Sequence, residues 1–91
     1  MTQLLVISSA RIKLKNRHLL EWQTLSSIQQ DVWALVSEEA AQKLALCGDD
    51  QVGCFYLKKE QRTRLTRIMV SQRHEREQMT TRHSNELLLL E

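Results

Sequence analysis

Apolar residues recur at helical spacing between about Arg17 and Cys47. On a wheel of about 100° per residue, the apolar side chains within about 80° of Trp22 are Leu19, Leu25, Val32, Trp33, Val36, Ala40 and Leu44. Acidic and amide side chains occupy the far side. This pattern predicts an amphipathic helix over residues 17–47 with one continuous apolar face.

A break in the pattern follows at "GDDQVGCFYLKK". Gly48 stands where the C-terminal cap of a helix belongs, and the two aspartates after it suit the start of a new element. We expect a turn over residues 48–53 and a second helix over residues 54–90 with a polar distal half. The stretch 52–57 also fits a short extended segment. The apolar strip of the second helix consists of Leu57, Leu65, Ile68 and Met69.

The first sixteen residues give two conflicting signals. "LLVIS" contains β-branched residues and "RIKLK" alternates charged with apolar positions, which is the periodicity of a strand. A two-stranded sheet without a further partner is weak, however, and only "VGCFYL" is available to join it. We therefore predict a basic N-terminal arm or short helix over residues 1–16, with an α+β fold as the alternative.

Composition decides the fold class. The chain has 91 residues, no proline and two glycines, and few aromatic side chains, which favours long helices. We predict an all-α protein: one small domain over residues 1–91 with two main helices in a long helical hairpin. A helix of about 30 residues is too long to be covered by its own flanks, so we expect two hairpins to form a dimeric helical bundle.

Charge is arranged in blocks along the chain. Residues 1–20, 21–50, 51–70 and 71–91 carry +4, −5, +4 and −1, which gives the net charge of +2. Blocks of opposite sign can pair within a chain or between copies. The positive blocks also provide candidate phosphate contacts, namely Arg11, Lys13, Lys15, Arg17, Lys58, Lys59, Arg62, Arg64 and Arg67. No helix-turn-helix, RNA-recognition or zinc-finger motif accompanies them.

Signals for export or membrane insertion are not found in the sequence. The first residues lack the apolar stretch of a secretory signal, and no segment approaches the roughly 20 apolar residues of a membrane span. We expect a soluble cytoplasmic protein. Cys47 and Cys54 are then predicted to be free thiols, and a disulfide between them requires an oxidising compartment.

Metal binding and catalysis are not predicted. His74 and His83 are nine residues apart and point in roughly opposite directions on a helix, so we expect exposed histidines. The two cysteines are spaced C-x6-C, which misses the usual zinc-ligand spacing. No glycine-rich phosphate loop, nucleophile elbow or HExxH motif occurs. We expect no metal, no cofactor and no enzymatic activity.

The C-terminal tail has a weak coiled-coil pattern. Its best heptad runs through Met69, Gln72, Arg76, Met79, His83, Glu86 and Leu90, of which only three suit a seam. We expect a solvated or fraying helix over residues 71–86 unless another surface covers Met79. The terminal "LLLL" is expected to dock on the long helix or on a partner, with a frayed end as the alternative.

Two tryptophans mark the most informative face of the chain. Trp22 and Trp33 are eleven residues apart, nearly three helical turns, and tryptophan is enriched in interface hot spots. Both could pack within one chain. We expect a protein interface formed by Trp22, Leu25, Val32, Trp33, Val36, Leu44, Leu65 and Met69.

The expected function follows from this face. We predict a non-enzymatic helical interaction protein, an adaptor, chaperone or assembly subunit, that binds itself, as a dimer, or another protein. A small nucleic-acid-associated accessory protein is the alternative. In their mixture of charged and amide residues, the segments "KKEQRTRL" and "RHEREQM" resemble small helical-hairpin accessory proteins. Examples are chaperones and stalk components of bacterial secretion machines and the helical tails of plasmid mobilisation proteins. The resemblance implies a helical accessory role.

Overall fold

Two long helices form the protein. The computed structural model describes residues 2–90 and the side chains of residues 6–90. Helix α1 spans Thr2–Cys47 and contains 46 residues, and helix α2 spans Gln51–Leu88 and contains 38. Within residues 2–90 there is no strand. The prediction of an all-α helical hairpin is confirmed.

The helices are longer than the sequence pattern indicated. Helix α1 begins at Thr2 and takes in the segment that was predicted as an arm or short helix, because no glycine or proline interrupts the chain before Gly48. Helix α2 begins at Gln51, three residues before its predicted start. The α+β alternative is wrong for this part of the chain. Met1 and Glu91, which the predicted domain 1–91 also takes in, lie outside the described residues.

The turn is built by one glycine and one aspartate. Gly48 has a φ of 56°, a left-handed conformation that disfavours other residues, and it ends α1. Asp50 caps the N-terminus of α2, since its Oδ1 accepts a 3.0 Å hydrogen bond from the backbone N–H of Gly53. A Cβ at position 53 would collide with this carboxylate. Both residues therefore fix where the chain reverses.

Contacts divide the chain into two compact units. Unit 1 consists of Met1–Ser27 and His74–Glu91, and unit 2 consists of Ile28–Arg73. In unit 2 the amide of Gln29 donates to the carbonyl of Gln72 at 3.0 Å, and Gln72 donates to the carbonyl of Gln29 at 3.1 Å. Gln61 likewise donates to the carbonyl of Ala40 at 3.0 Å. These bonds set the antiparallel register of the unit.

Neither unit has a large apolar interior. Val36, in unit 2, is the one buried hydrophobic side chain among residues 6–90. In unit 1 the buried side chains are His18 and His83, each 6% exposed. In each unit we call the contact between the two helices the seam. Half-buried apolar residues line the rest of it: Leu14, Trp22, Leu25, Met79, Leu87 and Leu90 in unit 1, and Leu44, Leu57, Leu65 and Ile68 in unit 2.

Candidate functional site

The predicted interface residues divide into covered and open positions. Within unit 1, Trp22 and Leu25 are half-buried. Within unit 2, Val36 is buried and Leu44 and Leu65 are half-buried. These five residues are thus covered at least in part by their own chain.

The other three predicted interface residues are exposed, and all belong to unit 2. Val32 is 40% exposed, Trp33 37% and Met69 50%. The register of the Gln29–Gln72 pair places Val32 opposite Met69, and Trp33 is the next residue on α1. We call Val32, Trp33 and Met69 the open patch. It is a site where apolar area is available for a partner.

The two helical segments of unit 2 carry opposite charge. Residues 28–47 have a net charge of −2 from Asp31, Glu38, Glu39 and Lys43, while residues 51–73 have +5 from Lys58, Lys59, Glu60, Arg62, Arg64, Arg67 and Arg73. Glu39 and Arg64 form an ion pair across the seam at 3.2 Å. Most of these groups are exposed, so they are available to a complementary surface.

The candidate phosphate-contacting residues lie in both units. In unit 1, Lys13 and Lys15 are exposed, Arg11 is half-buried, and the guanidinium of Arg17 forms an ion pair with Glu86. In unit 2, one face of α2 presents an aromatic ring beside several cations in a shallow groove lined by Tyr56, Lys59, Glu60, Thr63, Arg64 and Arg67. Lys58 and Arg62 are also exposed.

A stacked pair of histidines occupies the seam of unit 1. The ring centroids of His18 and His83 are 3.7 Å apart, and the ring planes differ by 9°. The indole of Trp22 meets the His83 ring edge-on, with centroids 5.9 Å apart. Three rings thus fill the space that aliphatic side chains occupy in an ordinary helical seam.

Charged residues surround the two rings in a reciprocal arrangement. Nε2 of His18 lies 3.4 Å from Oε2 of Glu86, and Nε2 of His83 lies 3.4 Å from Oε2 of Glu21. Arg17 forms an ion pair with Glu86, and Arg82 forms one with Glu21. The same sequence, R-H-x-x-E, supplies both halves: "RHLLE" at 17–21 and "RHSNE" at 82–86. We call these six charged and aromatic residues the histidine clasp.

The surroundings of the clasp shift two pKa values. Burial lowers the pKa of His83, and the neighbouring His18 and Arg82 lower it further. For Glu86, burial alone would raise the pKa, but hydrogen bonds with His18 and Arg17 and the charges of those groups outweigh it, and the pKa is lowered. These surroundings therefore favour the neutral imidazole at His83 and the ionised carboxylate at Glu86.

The expectation of exposed histidines is correct for His74 and wrong for His83. Sequence reasoning compared these two residues on one helix and did not consider that His18, on the other helix, could meet His83. The tail is not fraying in this part of the chain, because α1 covers it: Met79 is half-buried and α2 continues to Leu88. In the "LLLL" run, Leu87 and Leu90 are half-buried, whereas Leu88 and Leu89 are exposed.

Other potential sites are limited. Among residues 2–90, no group of three or more His, Cys, Asp and Glu side chains is placed to hold a metal ion. Cys47 and Cys54 are free thiols beside the turn. A hydrogen bond with Cys54, together with partial burial, raises the pKa of Cys47. Neither helix, over its described residues, has a stretch that is long and apolar enough to cross a lipid bilayer.

Comparison with known proteins gives no relative to argue from: no protein-family model, no curated protein and no solved structure matches this chain. The functional argument therefore depends on the surfaces and clusters described above.

Proposed function

We propose that this protein is a non-enzymatic helical interaction protein of the cytoplasm, an adaptor, chaperone or assembly subunit, that acts by burying a helix face of unit 2 against a partner. A second copy of the chain is the first partner we propose, which gives a dimeric helical bundle. The open patch is the centre of the proposed interface.

The observation that carries this proposal is that very little apolar surface is buried within the chain. One hydrophobic side chain is buried among residues 6–90, although 42% of the sequence is hydrophobic. The accessible surface is 7561 Å² for a 10.7 kDa chain, whereas a compact monomer of that mass exposes about 5500 Å². The excess of roughly 2000 Å² is more than the about 800 Å² that each partner buries in a standard interface. A partner that covers this surface would stabilise the fold.

Charge favours a second copy as the occupant. The α1 segment of unit 2 is acidic and its α2 segment is basic, so the α1 segment of one copy complements the α2 segment of another. Complementary charges across an interface fix orientation and suppress wrong partners. The same unit thus offers both the apolar area and the polarity that self-association needs.

Mass in solution tests the proposal. Light scattering on the full chain should show a dimer that dissociates on dilution. Trp33→Ala should weaken the dimer by about 30-fold, the effect of losing a hot-spot side chain. Leu46→Ala is the matched control, because Leu46 is 87% exposed on the same helix and lies outside the open patch, and it should change the dimer little.

The environment of Trp33 gives a second, independent readout. In a Trp22→Phe variant, Trp33 is the single tryptophan, and excitation at a wavelength that Tyr56 does not absorb reports on it alone. Its fluorescence should resist a soluble quencher at concentrations where the dimer forms and become accessible on dilution. A chain that is cooperatively folded, monomeric at every concentration and freely quenched at Trp33 would overturn the proposal.

A nucleic-acid-associated accessory role is the second candidate, and the groove on α2 favours it. Tyr56 lines the same groove as Lys59, Arg64 and Arg67, and an aromatic ring that shares a groove with cations can stack on a base while the cations contact phosphates. Binding to single-stranded DNA that weakens steeply with added salt would support this role. A Lys59→Gln/Arg67→Gln variant should then bind more weakly, whereas Lys13→Gln/Lys15→Gln should bind as the wild type does.

A further inference from the structure

The histidine clasp is a buried, titratable contact that the proposed interface does not use. It lies in unit 1, whereas the open patch lies in unit 2. His18 and His83 are the most buried of the unit 1 side chains that the structure describes, and each is 6% exposed. Each ring touches the other ring on one face and a carboxylate at its Nε2. The protonation state of these two rings therefore affects how the helices of unit 1 pack.

The charges around the rings balance only while the rings are neutral. From α1, Arg17 and Glu21 face the pair, and from α2, Arg82 and Glu86 do so. These two cations and two anions already neutralise each other. Each carboxylate would favour a proton on the adjacent imidazole, but each is engaged by a guanidinium group. Two protonated rings would be cations with centroids 3.7 Å apart at two positions that are each 6% exposed.

We propose that the histidine clasp is a pH-sensitive switch: it holds the helices of unit 1 together near neutral pH and releases them when both imidazoles take up protons. Release would expose the half-buried apolar side chains of that seam, including Trp22, Leu25 and Met79. The switch would thus control access to a second apolar surface, distinct from the open patch.

The direction of the response follows from proton linkage. The pKa of His83 is lowered in the closed clasp, whereas an imidazole exposed to water titrates near its usual value of 6.5. The open form therefore binds more protons than the closed form, and acid favours opening. The stabilisation is complete above about pH 6.5 and is lost as the pH falls through and below that value. The lowered pKa of Glu86 adds a further loss only at lower pH, below the usual value of 4.5 for that carboxyl.

Hydrogen exchange of the full-length chain tests the switch. Between about pH 7.5 and about pH 5.5, backbone exchange in unit 1, corrected for the intrinsic rate, should increase about tenfold, since two linked protons that titrate near 6.5 in the open form permit about a hundredfold over this range at most. Exchange in unit 2 is the internal reference and should change by less than about twofold, because its seam contains no histidine. Light scattering on the same samples separates this opening from any dissociation of a dimer.

Two variants separate the clasp from other effects of acid. His18→Phe/His83→Phe keeps two stacked rings and removes both titrations, so unit 1 should stay protected at about pH 5.5. His74→Gln is the matched control, because His74 is an exposed histidine of the same unit, and it should open as the wild type does. An acid response that persists in the double phenylalanine variant, or that disappears in His74→Gln, would overturn the proposal.

A direct titration needs no variant. NMR of the imidazole resonances should show proton uptake by the clasp coinciding with the loss of protection in unit 1, and the pKa of His83 should lie below that of a free imidazole. Two clasp histidines that take up protons independently while unit 1 stays protected would refute the switch. So would a wild-type chain whose unit 1 exchange is flat between about pH 7.5 and 5.5.

Discussion

The two units use the same pair of helices but close their seams with different chemistry. In unit 2, Val36 is buried, neutral amides cross the seam at Gln29 and Gln72, and the one ion pair described across it, Glu39 with Arg64, is exposed to solvent. In unit 1, the buried positions are histidines held between ion pairs. An apolar contact does not respond to pH, and ordinary salt has little effect on it. An ionisable cluster responds to both.

This difference means that one chain can contain a region of constant stability beside a region whose stability depends on conditions. Local stability within a protein ranges from near zero to the full unfolding free energy. Here the chemistry of each seam decides which end of that range a unit occupies. The substitutions below test this contrast, from the largest expected effect to the smallest.

Val36→Asp should have the largest effect. Val36 is 6% exposed, and an unpaired carboxylate at this position would cost about 3 kcal/mol or more. That is a large part of the roughly 5–14 kcal/mol expected for a chain of this length. Urea unfolding followed by circular dichroism measures the loss, and hydrogen exchange should locate it in unit 2.

Leu46→Asp is the control for Val36→Asp. It introduces the same charge on the same helix at a side chain that is 87% exposed, so it should change the unfolding free energy by no more than about 0.5 kcal/mol. Equal losses for the two variants would mean that unit 2 does not depend on its apolar seam, and the contrast with unit 1 would fail.

Glu21→Gln tests the ionic seam of unit 1. The side chain of Glu21 is 25% exposed and faces Arg82 and His83. Loss of its charge should cost about 1.4 kcal/mol, allowing for its exposure. Hydrogen exchange in unit 1 should then be about tenfold faster at neutral pH, and added salt should reduce the difference from the wild type.

The matched control for Glu21→Gln is Glu77→Gln, which removes an exposed carboxylate of the same unit and should leave exchange nearly unchanged. If the two variants behave alike, or if salt has no influence on either, the seam of unit 1 is not held by its charges.

The fold was predictable where a long segment had a single periodic pattern and clear breakers. The wheel centred on Trp22 identified the central part of α1, and Gly48 marked its end. The first sixteen residues could not be assigned in this way, because "RIKLK" alternates like a strand. Helix α1 nevertheless runs through them from Thr2, because no glycine or proline interrupts the chain there. Only Ala10, Arg11 and Leu14 are half-buried among residues 6–16, so the burial pattern gives little further signal for a helix.

The histidine clasp was missed because candidate ligands and ring pairs were sought within one helix. A signal was present in the sequence: R-H-x-x-E occurs three times, at 17–21, 73–77 and 82–86. The histidines of the first and last copies, His18 and His83, lie at equal distances from the midpoint of the predicted turn 48–53, which is the condition for residues to meet in an antiparallel hairpin. Gln29 and Gln72 satisfy the same condition and also pair. Testing polar residues for this symmetry would have identified both contacts.

Asp50→Ala should have a smaller and more local effect. The variant removes the hydrogen bond from the backbone of Gly53 to the Asp50 carboxylate, at a cost of about 1 kcal/mol. Urea unfolding measures this loss, and faster exchange should be confined to the turn of unit 2. Asp49→Ala removes the neighbouring exposed carboxylate and should cost less. A loss of protection in unit 1 with Asp50→Ala would contradict the view that each unit is closed by its own contacts.

The smallest expected effect is on the reactivity of a thiol. Cys47, at the turn of unit 2, has a raised pKa. The hydrogen bond with Cys54 comes first among the causes that raise the pKa of Cys47, and a raised pKa lowers the thiolate fraction that reacts with iodoacetamide. Cys54→Ala should therefore accelerate alkylation of Cys47 at about pH 8, as measured by peptide mass spectrometry. Urea stability should change little, since neither sulfur is buried in the seam. If Cys47 reacted at the same rate in both proteins, the two thiols would not be in contact. If instead exchange throughout unit 2 became faster in the variant, the thiol contact at the turn would stabilise unit 2 more than Val36 and the amide pairs do. The seam of unit 2 could then no longer be described as held mainly by apolar and amide contacts.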